Sequence, residues 1–309
     1  MTRATRTQEG TLYGFLAYLL WGVFPLYFAL LRPAGPWEIV AHRIVWTLVI
    51  CTVVLVATRD LAWLVDLARR PRRAAGVVLA GALIAVNWGI YTYAVLSGHV
   101  TEAALGYFLN PLVTVALGVV ILRERLRRTQ WVAVGIGLVA AVYLTVDYGR
   151  PPWISLSLAF SFATYSLLKN RLGVSLSALR SLAGESLAIL PLAVVILVVL
   201  DRQDATTFTD EGAGHTLLML STGVATAVPL LLFAAAASRV PLSTVGLLQF
   251  LTPVLQLMTG VLLLGEVLPA SRWVGFAMVW VALAVLTVDM VGHVRRSRRA
   301  RQDLVDPAP

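Results

Sequence analysis

Apolar stretches of roughly 17 to 25 residues recur along almost the whole chain, and each could cross a hydrocarbon core of about 30 Å as an α-helix. Of the 309 residues, 59% are hydrophobic and only 13% are charged, which is more apolar surface than one water-soluble domain could bury. We therefore predict an all-α membrane protein of ten transmembrane helices, at residues 11–31, 36–57, 74–97, 102–122, 130–147, 152–170, 178–200, 214–237, 243–264 and 271–291.

The basic residues are distributed unevenly among the connections between these stretches. Most of the 25 Lys and Arg residues fall in one set of alternate connections, whereas the other set holds Arg32, Arg150, Arg202 and Arg272. Because positive charge stays on the cytoplasmic side, we expect both termini to be cytoplasmic in the inner membrane of a bacterium. The net charge of +9 then reflects membrane orientation, and we expect no nucleic-acid partner.

The chain contains an internal repeat, since residues 101–147 align with residues 243–289 without a gap. Each predicted unit has five helices, an odd number, so the second copy should enter the membrane inverted. We predict a first repeat at 11–147, an inverted second repeat at 152–291 and a basic cytoplasmic tail at 292–309. The matches that apolar composition does not explain include Phe108/Phe250, Pro111/Pro253, Gly118/Gly260, Glu124/Glu266, Trp131/Trp273 and Asp147/Asp289.

Polar or small residues form stripes on corresponding faces of the fourth and ninth predicted helices. One interpretation is a substrate-cavity wall, and the other is helix packing with interhelical hydrogen bonds of about 0.6 kcal/mol each. The stripes are Gly106, Asn110, Thr114 and Gly118 in the first repeat, and Leu248, Thr252, Gln256 and Gly260 in the second.

Prolines inside predicted helices favour the cavity. Pro111 and Pro253 each lack the N–H of a helical hydrogen bond, which frees the carbonyls of Tyr107 and Gln249 near mid-membrane, and Pro25 does the same in helix one. Such carbonyls need water, a neighbouring helix or a substrate as partner. The candidate cavity residues are Asn87, Trp88, Tyr91, Tyr107, Asn110, Thr114, Thr252 and Gln256.

Some ionisable side chains lie well inside the predicted spans, where a central charge costs roughly 2.5 to 3.5 kcal/mol. Helix two carries Glu38, His42 and Arg43, and helix seven carries Glu185. Glu38 and His42 share a face, and we expect Arg43 to pair with Glu38 or with Glu102. A structural ion pair is one interpretation. Proton coupling, with Glu38 and Glu185 as carriers and His42 as a relay, is the other.

The sequence lacks the usual marks of an enzyme or a metal protein. Cys51 is the single cysteine and lies in an apolar helix, and the four histidines form no cluster with it. No nucleophile with a nearby base is visible at useful spacing. We predict no catalysis, no metal and no cofactor.

Several segments look like those of a known family. They are GFLAYLLWGVFPLYFALL, EIVAHRIVW, NWGIYTYAV, EAALGYFLNPL, ERLRRTQW and PPWISLSLAFSFATYSLLKNR, in this order along nearly the whole chain. The chain thereby resembles the RarD family of EamA-repeat proteins, in the drug/metabolite transporter superfamily. The resemblance implies ten helices in two five-helix repeats and a transporter role, without specifying a substrate.

We therefore expect a secondary transporter, since no nucleotide-binding motif accompanies the helices. It would export small organic metabolites or drug-like solutes by alternating access, with the lipid bilayer and the solute as partners. The sequence leaves proton coupling and a homodimer open. The alternative is a non-transporting membrane assembly or structural subunit, which would not need polar stripes at the midplane.

Overall fold

The computed structural model describes residues 3–123, 126–172, 177–237, 239–240 and 248–305, and within them it contains helices and no β-strand. A π-helical turn, Thr259–Leu263, directly follows the α-helix Leu251–Met258. The α-helices are α1 (Arg3–Gly22), α2 (Phe24–Leu30), α3 (Pro36–Ala57), α4 (Ala62–Ala68), α5 (Pro71–Leu96), α6 (Val100–Leu122), α7 (Arg128–Tyr148), α8 (Trp153–Leu172), α9 (Ala178–Asp201), α10 (Gly212–Ala237), α11 (Leu251–Met258) and α12 (Ala270–Val305).

Seven of the described helices are long and apolar enough to cross a membrane, namely α3, α5, α6, α7, α9, α10 and α12. An eighth span results if α1 and α2, which meet at a 44° bend, are counted together. Pro25 lies in the first turn of α2, directly after this bend. The chain is therefore a multi-pass membrane protein built from helices, as its composition predicts.

The other two predicted spans do not meet these criteria. Helix α8 is 20 residues long, but its serines, Lys169 and Arg171 make it less apolar than the seven. The predicted span 243–264 is described only in part, because residues 241–247 lie outside the described residues. Its described portion, Leu251–Leu263, is a shorter apolar helix.

The helices of the two repeats form one bundle. Helix α3 packs against α9 and α10, and α6 packs against α8. Matching helices make matching contacts, since α5 packs on α8 as α10 packs on α1. The interior is therefore lined by both repeats together.

Helices α7 and α12 pack antiparallel, and each carries an aspartate that contacts the beginning of the other helix. Asp147, near the end of α7, faces Arg272 at the start of α12 at 3.6 Å. Asp289 in α12 accepts a hydrogen bond of 2.9 Å from Nε of Arg127 and another from Thr129, both at the start of α7. Two acidic residues that the repeat alignment pairs thus take equivalent positions at opposite ends of the helix pair.

Gly223 allows α10 to approach α3 closely. A Cβ atom there would lie 2.5 Å from the carbonyl carbon and oxygen of Trp46, so any side chain would collide with backbone. Thr226 follows on the same face of α10, three residues later, and Arg43 precedes Trp46 by three residues on α3. The close contact therefore brings Thr226 against Arg43.

Candidate functional site

Asn87 joins three helices in the bundle interior. Its side chain is 1% exposed. Its amide nitrogen donates to the hydroxyl of Ser161 at 3.0 Å and to the carbonyl of Leu158 at 3.2 Å, both on α8. Its amide oxygen accepts a hydrogen bond of 3.3 Å from the hydroxyl of Tyr107 on α6. Because each of its polar atoms has a protein partner, Asn87 fixes α5, α6 and α8 relative to one another.

Gln256 makes a similar connection between α11, α5 and the bend of the first span. Its amide nitrogen donates to the hydroxyl of Tyr91 at 3.0 Å and to the carbonyl of Trp21 at 3.2 Å. In an uninterrupted helix the Trp21 carbonyl would accept from residue 25, but Pro25 has no N–H to donate. Gln256 therefore satisfies a carbonyl that a proline leaves free.

Thr252, one turn before Gln256, makes a second bond to the same helix. Its hydroxyl donates to the carbonyl of Tyr18 at 2.8 Å. Together the two side chains hold α11 against α1. The partner of the freed carbonyl is thus a neighbouring helix, one of the three partners expected from the sequence.

Ring contacts connect the Asn87 and Gln256 groups. The rings of Tyr91 and Tyr107 are 5.7 Å apart, and the ring of Tyr91 lies 5.8 Å from that of Phe28. We name the polar network as Asn87, Tyr91, Tyr107, Ser161 and Gln256. It draws on both repeats and lies where hydrocarbon is expected, so it is the candidate functional site.

Two predicted cavity residues differ from the rest. Thr114 is exposed on α6, and Asn110 is half-buried, with no hydrogen-bond partner for its side-chain oxygen within the described part of the chain. Along the stripe on α6, Gly106 is buried, Asn110 half-buried, Thr114 exposed and Gly118 buried again, so the stripe does not form one continuous buried face.

The two matched prolines also differ from expectation. Pro111 lies inside α6, which continues through it to Leu122. Pro253 lies in the first turn of α11, and the chain forms a turn just before it at Gln249 and Phe250. An N–H in a first turn has no intrahelical partner in any case, so Pro253 removes no hydrogen bond from within α11.

Arg43 is held among aromatic rings. It is 4% exposed, and its Nε donates to the hydroxyl of Thr226 at 2.7 Å. Its guanidinium carbon lies 4.1 Å from the ring centroid of Trp88, and 5.5 and 5.6 Å from those of Phe24 and Phe28. Each such cation–π contact stabilises the charge by about 0.5 to 2 kcal/mol.

The expected ion pair of Arg43 with Glu38 or Glu102 does not form. Glu38 accepts from the backbone N–H groups of Thr207 at 2.7 Å and Phe208 at 3.1 Å, and from the Thr207 hydroxyl. Glu102 faces Arg150 at 3.2 Å. Both carboxylates lie near helix ends, where donors on connections are closer than Arg43, which points into the bundle.

Glu38 and His42 do share a face, as their spacing predicts. The imidazole of His42 stacks on the ring of Phe208 at 4.4 Å, and its Nδ1 accepts from the indole N–H of Trp46 at 3.1 Å. The two side chains thus hold the connection between α9 and α10 over the end of α3. Thr207 extends the group, because its hydroxyl also bonds His215.

Glu185 forms a separate charged cluster. Its carboxylate contacts Nζ of Lys169 at 2.5 Å and accepts from the hydroxyls of Ser181 at 2.8 Å and Tyr165 at 3.0 Å. It is 2% exposed. Sequence reasoning did not assign it this partner, although Lys169 is the single lysine of the chain and lies near the end of a predicted span.

A cavity of about 770 Å³ lies elsewhere, between α11, the π-helical turn and α12. Its wall is apolar and includes Phe108, Phe250, Trp273 and Trp280. It opens on the outside of the bundle, where lining residues such as Leu262 are exposed. None of the predicted cavity residues lines it, so it does not compete with the polar network.

Comparisons with known proteins point to one family. The model of the EamA-like transporter family matches residues 8–146 and 152–288. The chain is 49% identical to "Protein RarD" of Streptomyces exfoliatus, over 99% of this chain and 96% of that protein. It is 39% identical to "Uncharacterized transporter PA0485" of Pseudomonas aeruginosa, over 94% and 96%. A solved crystal structure with 20% identity aligns with a TM-score of 0.60 over 90% of this chain and 97% of that one, which supports the fold.

Proposed function

Because the chain belongs to the EamA-like transporter family, we propose that it is a secondary transporter that exports small organic metabolites or drug-like solutes. The observation that carries the proposal is the polar network, in which Gln256 and Ser161 of the second repeat meet Asn87, Tyr91 and Tyr107 of the first. Such a network between repeats at membrane depth is where transporters of this kind bind solute.

The proposed architecture is ten transmembrane helices in two inverted repeats that alternate access to the network. The antiparallel α7 and α12, with matched Asp147 and Asp289 at opposite ends, support the inversion. Reporter fusions after Arg73, Arg128 and Arg180 should report the cytoplasm of the bacterium, and a fusion near Asp204 the outside. A periplasmic signal at Arg128 would contradict the inverted repeat.

Solute counterflow in proteoliposomes tests the transport proposal directly. A library of organic metabolites is loaded in turn, and the parent chain is compared with Asn87→Leu and with Leu262→Ala, a change on the exposed surface. Exchange that Asn87→Leu abolishes and Leu262→Ala preserves supports transport through the network. Failure of every solute to move would favour the alternative, a membrane assembly or structural subunit.

Water access to the network is a second measurable consequence. Single cysteines at Asn87, Asn110 and Gln256, in a Cys51→Ala background, should react with hydrophilic maleimides, and substrate should change their rates. Leu262→Cys serves as the lipid-facing control and should stay inert. If all these cysteines were as unreactive as the control, the side chains would serve ordinary helix packing and would not face water.

The most detailed part of the proposal is that transport is coupled to protons, with Glu38 and Glu185 as carriers and His42 as a relay. A potential of about 100 mV supplies about 2.3 kcal/mol per charge, enough for roughly a 50-fold solute gradient. Flux under imposed pH gradients should fall in Glu38→Gln or Glu185→Gln. Full proton-driven accumulation in both variants would exclude this scheme and leave the two carboxylates with the structural contacts described above.

A further inference from the structure

The buried carboxylates Glu185, Glu102 and Asp289 each have a cationic partner, but Arg43 has no anionic one among the described residues. Glu185 faces Lys169, Glu102 faces Arg150 and Asp289 faces Arg127. Among the described residues, the titratable groups that act on the charge of Arg43 are the tyrosine hydroxyls of Tyr27, Tyr91 and Tyr107. Arg43 is therefore a cation without a counter-charge in the part of the chain that the structure describes.

The contacts of Arg43 leave one edge of the guanidinium group free. The rings of Trp88, Phe24 and Phe28 surround the group, and Thr226 accepts from Nε. Nη1 is buried and has no hydrogen-bond partner among the residues that the structure describes. An unpaired charged donor inside a membrane protein is strongly unfavourable unless something else binds it.

The free edge has the chemistry of an oxyanion site. The guanidinium group is planar, stays charged, and presents paired donors that match carboxylate and phosphate oxygens. The ring of Phe28, 5.6 Å from the guanidinium carbon of Arg43, lies 5.8 Å from the ring of Tyr91, which belongs to the polar network and accepts from Gln256. The charge therefore adjoins the region proposed to receive solute. A solute that carries an oxyanion would supply both the missing hydrogen bonds and the missing charge.

We propose that Arg43 binds the oxyanion group, a carboxylate or a phosphate, of the solute that this protein transports. The proposal rests on the proposed transport function and adds the chemical class of the substrate. Neutral solutes leave the Arg43 charge uncompensated, and cationic solutes are repelled by it. The aromatic rings around Arg43 keep the cation in place while the solute is absent.

Ligand-induced thermal stabilisation of the purified full chain tests the proposal with simple anions as probes. The probes are benzoate, succinate, glycerol 3-phosphate and inorganic phosphate, with benzamide, succinamide, glycerol and benzylamine as neutral or cationic counterparts. We expect at least one anion to stabilise the parent and the counterparts to have no effect. Binding should weaken about 30-fold or more in Arg43→Gln, and remain unchanged in Arg32→Gln, a charge removed from the exposed surface.

Three results would overturn the inference: no anion stabilises the parent, the counterparts stabilise it equally, or Arg43→Gln binds as tightly as the parent. If Arg43→Gln fails to fold, Arg43→Lys replaces it. Lysine keeps the charge but loses the planar fork and the bond to Thr226, so we expect binding at least about tenfold weaker. Unchanged affinity in Arg43→Lys counts against the proposal.

Counterflow separates this inference from the transport proposal. An anion that binds through Arg43 but never crosses the membrane would refute transport and leave the oxyanion site intact. Transport of neutral or cationic solutes that Arg43→Gln leaves unaffected would refute the oxyanion site and leave transport intact.

Discussion

The fourth predicted helix of the first repeat and its counterpart in the second share a proline, Pro111 and Pro253, and a glycine, Gly118 and Gly260. The described parts of these two matched segments nevertheless fold differently. In the first repeat, α6 runs without interruption from Val100 to Leu122, with Pro111 inside it. In the second, a turn at Gln249 and Phe250 precedes the short α11 and its π-helical turn. Shared local sequence therefore does not decide whether a helix continues through this position.

The ends of the two segments, by contrast, agree. Arg123 and Gly265 occupy matched positions after the helical segments, and both have left-handed backbone conformations, with φ of 56° and 70°. The N–H of Arg123 bonds the carbonyl of Gly118, and the matched carbonyl of Gly260 accepts from Glu266, one residue beyond the position that matches Arg123. Helix ends depend on a few neighbouring residues, so duplicated sequence preserves them.

The environment of each segment accounts for the difference between them. Helix α6 lies against α8, with Gly106 close to the backbone of Ser155. Helix α11 instead donates side-chain hydrogen bonds from Thr252 and Gln256 to carbonyls of α1. We infer that these bonds to α1 position α11 and that the turn before it accommodates this position.

The largest effect should come from the matched aspartates. Asp289 is nearly buried and bonds both Arg127 and Thr129, whereas Asp147 is more exposed and 3.6 Å from Arg272. Asp289→Asn should lower the free energy of unfolding by about 2 to 3 kcal/mol, and Asp147→Asn by about 1 kcal/mol or less. Reversible unfolding in mixed micelles measures both, and equal losses would show that the two ends of the helix pair are equivalent.

The next largest effect on stability is expected at the matched pair Gln256 and Thr114. Gln256→Leu leaves the carbonyl of Trp21 and the hydroxyl of Tyr91 without their buried donor, so we expect a loss of about 1 to 3 kcal/mol. Thr114→Val, on the exposed face of α6, should change stability by less than about 0.5 kcal/mol. The same unfolding measurement applies, and a larger loss at Thr114 than at Gln256 would contradict the exposed position of Thr114.

The contact between Glu266 and the start of α6, which joins the two matched segments, should contribute somewhat less to the free energy of unfolding. The carboxylate of Glu266 accepts from the N–H groups of Val100 at 2.5 Å and Thr101 at 2.8 Å, at the start of α6. Glu266→Ala should destabilise the protein by about 1 kcal/mol, and Glu266→Gln by less, because glutamine keeps one acceptor oxygen. Hydrogen exchange at these two amides should speed up in the same order; unchanged exchange in Glu266→Ala would exclude a capping role.

The matched prolines should show the smallest effects. Pro111→Ala adds an N–H inside α6 that can bond the Tyr107 carbonyl, so a gain of up to about 1 kcal/mol is expected. Pro253→Ala adds an N–H in the first turn of α11, which has no intrahelical acceptor, and stability should change by less than about 0.5 kcal/mol. A greater response at Pro253 would mean that α11 extends further towards its N-terminus than Leu251.

Much of the architecture follows from residue patterns alone. The apolar stretches predicted spans that the structure contains as α3, α5, α6, α7, α9, α10 and α12. The family model matches the chain twice, once in each half. The four-residue spacing of Glu38 and His42 predicted a common face, and both contact Phe208. These features depend on periodicity along one helix, which is a property of neighbouring residues.

The partners of the charged residues could not be predicted in the same way. The sequence suggested a carboxylate for Arg43, and the structure provides Trp88, Phe24, Phe28 and Thr226. The sequence places Arg43 within an apolar helix but does not show which other helices lie next to its side chain. The aromatic pair on α2 was visible in the sequence as an i, i+4 repeat, although nothing local related it to Arg43.

By itself, therefore, the sequence determined that the chain resides in a membrane, that it is duplicated and which residues the two copies share. These properties are sums over single residues or comparisons of one stretch with another, and they do not depend on where the chain returns on itself. Tertiary structure alone decided that the Trp21 carbonyl is satisfied by Gln256 and that the Arg43 charge has no carboxylate partner among the described residues. Hydrogen bonds and ion pairs act over only a few ångströms, so they are set by how helices distant in sequence pack together.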